Sequence, residues 1–505
     1  MSSGKGKVLR NSALYTFSSL LTKAINFILL PVYTFFLSPE DYGTVNLINS
    51  FTNVATFIVA FSLYSAVIRF YADYKDDREK LKRFYGTIIV FTSITGFIFF
   101  ILGLLFNKQL VYWFFEGISF FPIVVISLLS LIFVSIHTIH QRIMQSMQQG
   151  EKLTVVNFTV FGLMVCFKLL FIGALKLGAV GFLLSTLIVN VVYFIYMLFD
   201  LKKNNLIAFT LDLNLLKESL KYSIPLMPHD LSTHIASFAS RIFINSSSSL
   251  SSVGLYGVAS QFGLIIDTVQ GSANTAFKPW FFELMSSDKQ NKKADIVNLS
   301  RFLLILYSLL YLVIGLFSQE VIIIMTTDKY IMAWTIIPIL VGAYSIKSLY
   351  YFYVNILFYY KEAARKIFIA TITGSLADIV LAFMLVPYYG MYGAAIAFLL
   401  AKIMVFTIVA IMSRSYDDVG YRVLDMLKIL CISLAFMGSG LYFSYTIYID
   451  KFSFVNLLYK LGVFITYLVY LYFTNRKMIK SFYKSGKLKK VLKRNKVFNM
   501  LVKEV

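Results

Sequence analysis

The stretch KIFIATITGSLADIVLAFMLVPYYGMYGAAIAFLLAKIMVFTIVAIM, residues 366–412, decides the fold class of this chain. It consists of two apolar runs, 366–387 and 389–412, which meet at Tyr388 and Tyr389. A helix needs about 20 apolar residues to cross a bilayer, so each run is long enough to span one. The stretch therefore predicts two transmembrane helices joined by a very short connection.

The same pattern extends over all 505 residues. Hydrophobic residues make up 58% of the chain and charged residues 14%, whereas soluble domains carry nearer 25% charge. Long apolar runs also exclude an outer-membrane barrel, whose strands alternate over about 10 residues. We predict an all-α polytopic membrane protein with about 14 transmembrane helices, at residues 12–37, 44–68, 84–106, 118–139, 153–175, 178–199, 219–245, 252–282, 296–318, 330–352, 366–387, 389–412, 425–447 and 455–474.

The basic residues lie mostly on one side of this predicted bundle. Alternate connections, such as 69–83 and 200–221, are rich in Lys and Arg. The connections between them hold only Lys108, Lys176, Lys329 and Lys451. Basic connections are retained on the cytoplasmic side of a membrane. We therefore predict that both termini are cytoplasmic, and we call the basic side the predicted inner side and the other the predicted outer side.

Composition and connection length exclude several classes of function. The net charge of +22 follows the topology, and no soluble stretch is long enough for a nucleic-acid-binding domain. Connections on the predicted outer side, such as Ser38–Gly43 and Ser246–Ser251, leave no room for a catalytic domain. Gly342–Ser348 ends like a phosphate-binding loop, but it lacks the glycine before the lysine and lies in a predicted span. We predict that the chain is not an enzyme.

We expect neither a cofactor nor a metal site. The four histidines form two pairs, and neither pair is joined by the Cys or carboxylate ligands that would complete a zinc site: His137 with His140, and His229 with His234. Cys166 and Cys431 both fall within predicted spans. We interpret them as packing residues rather than as a structural disulfide.

Two short motifs occur twice at nearly the same offset. Leu37–Gly43 and Ser251–Gly257 both end in Tyr-Gly, 214 residues apart, and lead into the second and eighth spans. Gly178–Gly181 and Gly390–Gly393 open the sixth and twelfth spans, 212 residues apart. Because six helices separate each pair, they predict two lobes related by a pseudo-two-fold axis along the membrane normal. The alternative is that both motifs are common turn chemistry.

This repeat predicts the domain organisation. Lobe 1 comprises residues 1–200, lobe 2 comprises residues 201–413, and each has six helices. Two additional transmembrane helices occupy residues 414–474, and a basic cytoplasmic tail occupies residues 475–505. The tail is either a solvated segment or an interfacial helix on anionic lipid, and the two interpretations are compatible.

Basic residues inside predicted spans are the main functional signal. A Lys or Arg at mid-bilayer costs roughly 2.5–3.5 kcal/mol unless it faces a hydrated cavity. We predict a cationic substrate-binding cavity, suited to a phosphate-bearing ligand, with Lys402 as a further basic residue in a span. Its candidate residues are Lys23, Arg69, Lys168, Arg241, Lys278 and Lys347, with Lys23 and Arg241 expected to meet across it. The alternative for each residue is snorkelling or ion pairing.

Two acids and three prolines complete the set of candidates. Asp267 and Asp378 lie as deep in the predicted spans as the basic residues. Each acid is a candidate to carry a coupling proton or sodium ion; the alternative is that it pairs with a nearby Lys or Arg. Pro31, Pro225 and Pro228 lie in or at the start of the first helices of the two lobes. Proline removes a backbone hydrogen bond and bends a helix, so these positions are predicted hinges. Simple packing geometry is the alternative.

Three motifs then carry a resemblance to a known family. Lys7–Tyr15 (KVLRNSALY), Leu37–Gly43 (LSPEDYG) and Thr275–Trp280 (TAFKPW) are typical of bacterial polysaccharide-unit flippases of the O-antigen and capsule type. The resemblance covers nearly the whole chain. These flippases belong to a superfamily that also contains multidrug and toxic compound extrusion transporters and the lipid II flippase.

The resemblance implies a cargo and a mechanism. The cargo would be an oligosaccharide on undecaprenyl pyrophosphate, moved from the inner to the outer leaflet of the bacterial cytoplasmic membrane by alternating access through a cationic cavity. The two additional helices resemble those that form a lipid groove in the lipid II flippase. The implied partners are membrane lipids, a polysaccharide polymerase and glycosyltransferases.

Two other functions remain as alternatives. An ion-coupled exporter of small molecules would favour acidic lobes that bind cations, whereas the excess charge within these spans is basic. A membrane glycosyltransferase or polymerase would need a large loop with catalytic residues, which the short connections on the predicted outer side do not supply. The leading prediction is a flippase for lipid-linked oligosaccharides.

Overall fold

The computed structural model describes residues 27–484, and all regular secondary structure in this part of the chain is helical. Ten of the helices are long and apolar enough to cross a membrane. A bent pair, Pro39–Ala60 with Leu63–Tyr74, makes an eleventh span if its two members are counted as one. The predicted fold class, an all-α polytopic membrane protein, is confirmed.

The helices are numbered here in chain order. The first eight are α1 (Leu30–Phe36), α2 (Pro39–Ala60), α3 (Leu63–Tyr74), α4 (Arg78–Leu105), α5 (Asn107–Phe114), α6 (Val125–Ser146), α7 (Gly150–Lys168) and α8 (Gly178–Lys203). The others are α9 (Leu213–Ser223), α10 (Met227–Ser247), α11 (Leu250–Met285), α12 (Lys292–Leu316), α13 (Ser318–Met325), α14 (Ile337–Tyr359), α15 (Lys361–Ala364), α16 (Ile367–Arg414), α17 (Val423–Thr446) and α18 (Phe454–Lys484).

The two apolar runs that decide the fold class both lie in α16. This helix is broken at Gly390, whose φ of 53° and ψ of −132° are not helical. A Cβ on Gly393 would lie 2.5 Å from the carbonyl oxygen of Leu385, and one on Gly374 would lie 2.0 Å from Val405. Residues so far apart in a helix approach each other only if the chain reverses, so α16 is two antiparallel spans, as the sequence predicts.

The motif Leu37–Gly43 starts α2 and ties it to α8. The backbone N–H of Asp41 donates to Ser38 Oγ at 3.0 Å, and the backbone N–H of Ser38 donates to Asp41 Oδ2 at 3.3 Å. This capping box satisfies two backbone donors that a helix start leaves open. Asp41 Oδ1 also accepts the backbone N–H of Ala179 at 3.1 Å, which fixes the start of α8 beside the start of α2.

Helices α2 and α11 cross in backbone contact near the predicted outer side. A Cβ on Gly43 would lie 1.8 Å from the carbonyl oxygen of Leu250, and a Cβ on Gly254 would lie 2.1 Å from that of Pro39. Only residues without a side chain permit so close an approach. The two repeated Tyr-Gly motifs therefore lie at one crossing; the division into two lobes at residue 200 stays a prediction.

Further contacts close the bundle on the same side. The Tyr330 hydroxyl donates to the carbonyl oxygen of Leu37 at 3.0 Å, and the Thr327 hydroxyl donates to that of Thr34 at 3.3 Å. Towards the predicted inner side the contact is between side chains: Tyr64 donates to Asp230 Oδ2 at 2.9 Å. These contacts on the predicted outer side thus all involve backbone groups, whereas the contact between Tyr64 and Asp230 joins two side chains.

The three predicted hinge prolines all lie at helix starts. Pro31 is in the first turn of α1, directly after a turn at Leu29. Pro225 lies in the short 3₁₀ turn Ile224–Leu226, and Pro228 lies in the first turn of α10. A missing N–H costs little in a first helical turn. The hinge role of these residues stays a prediction.

A buried ion pair fastens α18 to the rest of the bundle. Lys460 is 0% exposed, and its Nζ lies 2.7 and 2.9 Å from the two carboxylate oxygens of Glu320. The same Nζ donates to Gln319 Oε1 at 3.1 Å, and Gln319 in turn donates to the carbonyl oxygen of Tyr448. The sequence interpretation missed this pair, although Lys460 lies inside a predicted span.

We expect Lys460→Met to destabilise the protein by about 3–5 kcal/mol, because it leaves the Glu320 carboxylate buried without its partner. The double variant Lys460→Met, Glu320→Leu removes both charges and should recover most of that loss. Thermal unfolding in detergent measures both effects. Equal unfolding temperatures for the single and the double variant would contradict this explanation.

Candidate functional site

A cavity of about 700 Å³ lies among five helices of predicted lobe 1, and α11 contributes to its lining. This volume is typical of sites that bind small molecules. The lining residues that the structure describes come from α1, α2, α6, α7, α8 and α11. They include polar amides, aromatic rings and one cation, and none of them is a carboxylate.

Lys168 is the cation of this cavity, and it lies at the end of α7. Only 8% of the residue is exposed. Its Nζ lies 3.6 Å from the ring centroid of Phe182 and 5.0 Å from that of Tyr33, so two aromatic faces hold the ammonium group. Within the described residues Lys168 forms no ion pair. Its charge is therefore available to an anionic ligand in the cavity.

The helix geometry changes directly after Lys168. The regular helix α7 ends at Lys168, and the chain continues as a π-helical turn, Leu169–Ala174. Such wide turns often occur at functional sites. Nothing in the sequence predicts the turn, since its residues are ordinary apolar ones.

Arg241 lies close to the cavity but on the other side of Tyr42. Its guanidinium donates to the carbonyl oxygen of Ser237 at 2.8 Å and to the Ser237 hydroxyl at 2.6 Å. It also lies 5.8 Å from the ring centroid of Tyr256. Its buried Nε has no hydrogen-bond partner among the described residues. Tyr42 both lines the cavity and interacts electrostatically with Arg241.

Lys347 belongs to a second cluster, in predicted lobe 2. Its Nζ donates to Asp267 Oδ1 at 2.5 Å. Asp378 and Lys402 interact electrostatically with each other, and Lys402 also interacts with Lys347 and Asp267. These two acids and two bases come from α11, α14 and both halves of α16. For Lys347, the structure therefore has the ion-paired arrangement that was the alternative to a place in the cationic cavity.

The other candidate cations lie elsewhere. Arg69 is exposed, and its guanidinium pairs with Asp73 at 2.8 Å. The Nζ of Lys278 lies 3.9 Å from the ring centroid of Phe358. Lys23 lies outside the described residues, so its expected meeting with Arg241 stays a prediction. Of the six candidate cations, the structure places Lys168 in the cavity and Arg241 beside it.

A buried polar cluster beside the cavity was missed by the sequence interpretation. His140 Nε2 lies 3.3 Å from Asp200 Oδ2, and the ammonium group of Lys152 lies 2.6 Å from both oxygens of the same carboxylate. His137 Nδ1 lies 2.9 Å from Asn190 Oδ1. The fold brings Asp200 to His140 from 60 positions away, which local spacing does not predict. Lys152 balances the carboxylate, so the cluster is a neutral packing network.

The amides of the lining were also missed. Asn46 and Asn49 project from α2, and Asn49 is exposed although it lies within a span. Asn53 follows one turn later and is exposed as well. Residues at this spacing share one helix face. Such a stripe of amides on an apolar helix was the available signal for a polar cavity.

Comparison with known proteins places this chain in a family. The family described as "Polysaccharide biosynthesis protein" matches residues 8–285, which is more than half of the chain. A protein of the Lsg locus of Haemophilus influenzae (protein 1) is 23% identical over 403 residues, covering 77% of this chain and 95% of its own length.

Solved structures share the fold. The lipid II flippase MurJ in an inward closed conformation matches with a TM-score of 0.68 at 18% identity, covering 93% of this chain and all of that one. An inward-facing multidrug resistance MATE family transporter of the MOP superfamily matches with a TM-score of 0.62 at 15% identity, covering 82% and 95%.

The chain is therefore a multi-pass helical membrane protein with the fold of the MurJ and MATE structures. It belongs to the polysaccharide biosynthesis protein family. The predicted resemblance is confirmed at the level of the family. The solved structures that share the fold are those of a flippase and a transporter, which agrees with the prediction that the chain is not an enzyme.

Proposed function

We propose that this protein moves undecaprenyl-pyrophosphate-linked oligosaccharide units from the inner to the outer leaflet of the bacterial cytoplasmic membrane, for surface polysaccharide of the O-antigen or capsule type. The family membership and the MurJ-like fold support this function. The observation that carries it is Lys168, a buried cation in a cavity of about 700 Å³ that forms no ion pair with any described residue. A diphosphate is an anion that such a lysine binds as a point charge.

Alternating access is the mechanism that fits these contacts. The backbone crossing at Gly43 and Gly254 holds the predicted outer side shut, whereas Tyr64 and Asp230 hold the predicted inner side through one hydrogen bond between side chains. In our proposal the inner contact opens first and admits the headgroup, and the glycine crossing then separates to release it. Pro31, Pro225 and Pro228 are the proposed hinges at the helix starts.

This proposal assigns binding of the diphosphate to two of the candidate cations, Lys168 and Arg241. The full set of candidates was Lys23, Arg69, Lys168, Arg241, Lys278 and Lys347. Lys168 makes the first contact with the diphosphate, and Arg241 joins it when Tyr42 moves aside. Lys347 stays with Asp267. The membrane potential, negative inside, favours outward movement of the anionic headgroup by about 2.3 kcal/mol per charge at 100 mV.

Asp378 is the proposed coupling residue. It is 7% exposed, and its Oδ1 has no hydrogen-bond partner among the described residues, whereas Asp267 is already paired with Lys347. We expect Asp378→Asn to remove the response of transport to an imposed proton or sodium gradient while the movement driven by the membrane potential continues. Transport by reconstituted protein with and without each gradient measures this, and Asp328→Asn, at an exposed site, is the control. A full gradient response in Asp378→Asn would contradict the assignment.

We also propose an orientation in the membrane and partner enzymes for this protein. Both termini lie in the cytoplasm in this proposal. From residue 485 onwards, the predicted basic tail at 475–505 lies outside the described residues. Glycosyltransferases on the inner face supply the cargo, and a polymerase on the outer face consumes it. Thiol labelling of single cysteines placed in the tail of intact cells and of inverted vesicles tests the orientation.

Gene deletion in the host tests the function. We expect loss of surface polysaccharide, accumulation of the lipid-linked oligosaccharide in the inner leaflet, and recovery of both on complementation. Normal surface polysaccharide without accumulation would contradict the proposal. The second candidate, a multidrug-type exporter, rests on the MATE structural match; it predicts instead that the deletion strain becomes more sensitive to cationic drugs.

A further inference from the structure

We propose that the carboxamide side chains of the cavity form a subsite for the uncharged, hydroxyl-rich sugar rings of the cargo, separate from the contact between Lys168 and the anion. This inference rests on the proposed function and deepens it by naming the chemical class of headgroup that the cavity selects. The residues concerned come from four helices: Asn46, Asn49, Gln141, Gln145, Asn157 and Gln261.

The composition of the lining is the first argument. Among the described residues, six carboxamides line the cavity beside one cation, Lys168, and no carboxylate. A site for a polyanion would be lined with several Arg or Lys, and a site for a cationic drug would contain carboxylates. A carboxamide both donates and accepts hydrogen bonds, as a sugar hydroxyl does. The lining therefore fits a headgroup with many hydroxyls and few charges.

The cost of placing amides in a membrane is the second argument. A polar group in the apolar interior is unfavourable unless it is hydrogen-bonded or hydrated. Asn49 is exposed to the cavity within a span. Leucine at this position would avoid the cost if only packing mattered. The presence of Asn49 is explained by a ligand that bonds to it.

Neighbouring residues hold some of these amides in fixed orientations. Gln141 Nε2 donates to Asn157 Oδ1 at 3.0 Å, and the Arg142 guanidinium donates to Gln145 Oε1 at 2.8 Å. The carbonyl of Gln145 is thus occupied, which leaves its NH₂ group for a ligand oxygen. A preoriented group loses less freedom when the ligand binds.

The length of the cavity is the third argument. Asn157 and Lys168 both lie on α7 and both line the cavity. At 1.5 Å per residue they are about 16 Å apart along the helix axis. One phosphate group does not reach both. The ligand is therefore extended, with its charged end at Lys168 and its hydroxyl-bearing part against the amides.

Binding to two lipids tests the subsite. The purified full chain is titrated with fluorescent undecaprenyl-pyrophosphate oligosaccharide and, separately, with undecaprenyl pyrophosphate that carries no sugar. We expect the double variant Asn49→Leu, Gln145→Leu to bind the sugar-bearing lipid about tenfold more weakly, a loss of about 1.4 kcal/mol, and to bind the sugar-free lipid as the parent does. Lys168→Ala should weaken binding of both lipids.

The control variant makes the same two kinds of substitution, Asn to Leu and Gln to Leu, at positions outside the cavity. Asn107→Leu, Gln109→Leu also removes one Asn and one Gln, both from α5 on the predicted outer side, and it should bind both lipids like the parent. Equal binding of the sugar-bearing lipid by the cavity double variant and the parent would overturn the subsite alone. Failure of the parent to bind either lipid would overturn the proposed function and the subsite together. The milder Asn49→Ser, Gln145→Ser keeps polar groups and provides the same comparison if the leucine variant does not fold.

Discussion

Reversing the charge at Lys168 will abolish transport. We expect Lys168→Glu to lower the rate of headgroup translocation at least a hundredfold, a change of about 2.7 kcal/mol. The residue is 8% exposed between two aromatic rings, so little water screens its charge. Unit charges about 4 Å apart interact by about 4 kcal/mol in such an environment, and the reversal turns this attraction into repulsion. Complementation of a deletion strain, with surface polysaccharide as the measured quantity, checks the prediction.

Three further variants separate the charge of Lys168 from its packing. Lys168→Arg keeps the charge and should retain most of the transport, whereas Lys168→Met keeps the shape and should lose it. Lys108→Glu reverses a lysine on the exposed face of α5 and should leave transport unchanged. If Lys168→Glu reaches the membrane at the parent level and still restores surface polysaccharide, Lys168 does not bind the anion.

A side chain at Gly43 will force the predicted outer side open. Its Cβ would lie 1.8 Å from the carbonyl oxygen of Leu250, a contact that backbone atoms cannot relieve without moving apart. We expect Gly43→Leu to separate α2 from α11 and to raise labelling of a cysteine at position 49 by an impermeant thiol reagent from outside more than tenfold. The background for this measurement is Cys166→Ser, Cys431→Ser, since both native cysteines are exposed.

Gly162 provides the matched control for this variant. It also lies within a transmembrane helix, α7, but a Cβ there would meet nothing within 4 Å. Gly162→Leu should therefore leave cysteine 49 as protected as in the parent. Equal protection in Gly43→Leu and Gly162→Leu would show that the glycine crossing does not seal the cavity.

The sequence predicts the spans well because apolar length is a local property. The break in α16 at Gly390 lies directly after the predicted junction at Tyr388 and Tyr389. Most predicted spans likewise coincide with helices, since the requirement for about 20 apolar residues applies to each segment separately. The start of α2 was placed less well: the helix begins at Pro39, after a capping box at Ser38 and Asp41, whereas the predicted span begins at residue 44.

The candidate site was harder to predict because it depends on which helices meet. The cost of a charge in the membrane identified Lys168 and Lys347 equally. In the part of the chain that the structure describes, Asp267 pairs with Lys347, whereas no acid lines the cavity at Lys168. Pairing of Lys460 with Glu320 was missed for the same reason, since 140 residues separate them. Neutral amides such as Asn49 stand out less in an apolar sequence than charged residues do. Only the folded structure shows that they line one cavity.

Reconstitution tests the central claim most directly. The purified chain is placed in liposomes that contain fluorescent undecaprenyl-pyrophosphate oligosaccharide, and the accessibility of the headgroup to a quencher outside is followed over time. We predict protein-dependent translocation that Lys168→Met abolishes and Lys108→Met leaves intact. Absence of translocation by the folded parent protein, with several oligosaccharides tried, would contradict the account.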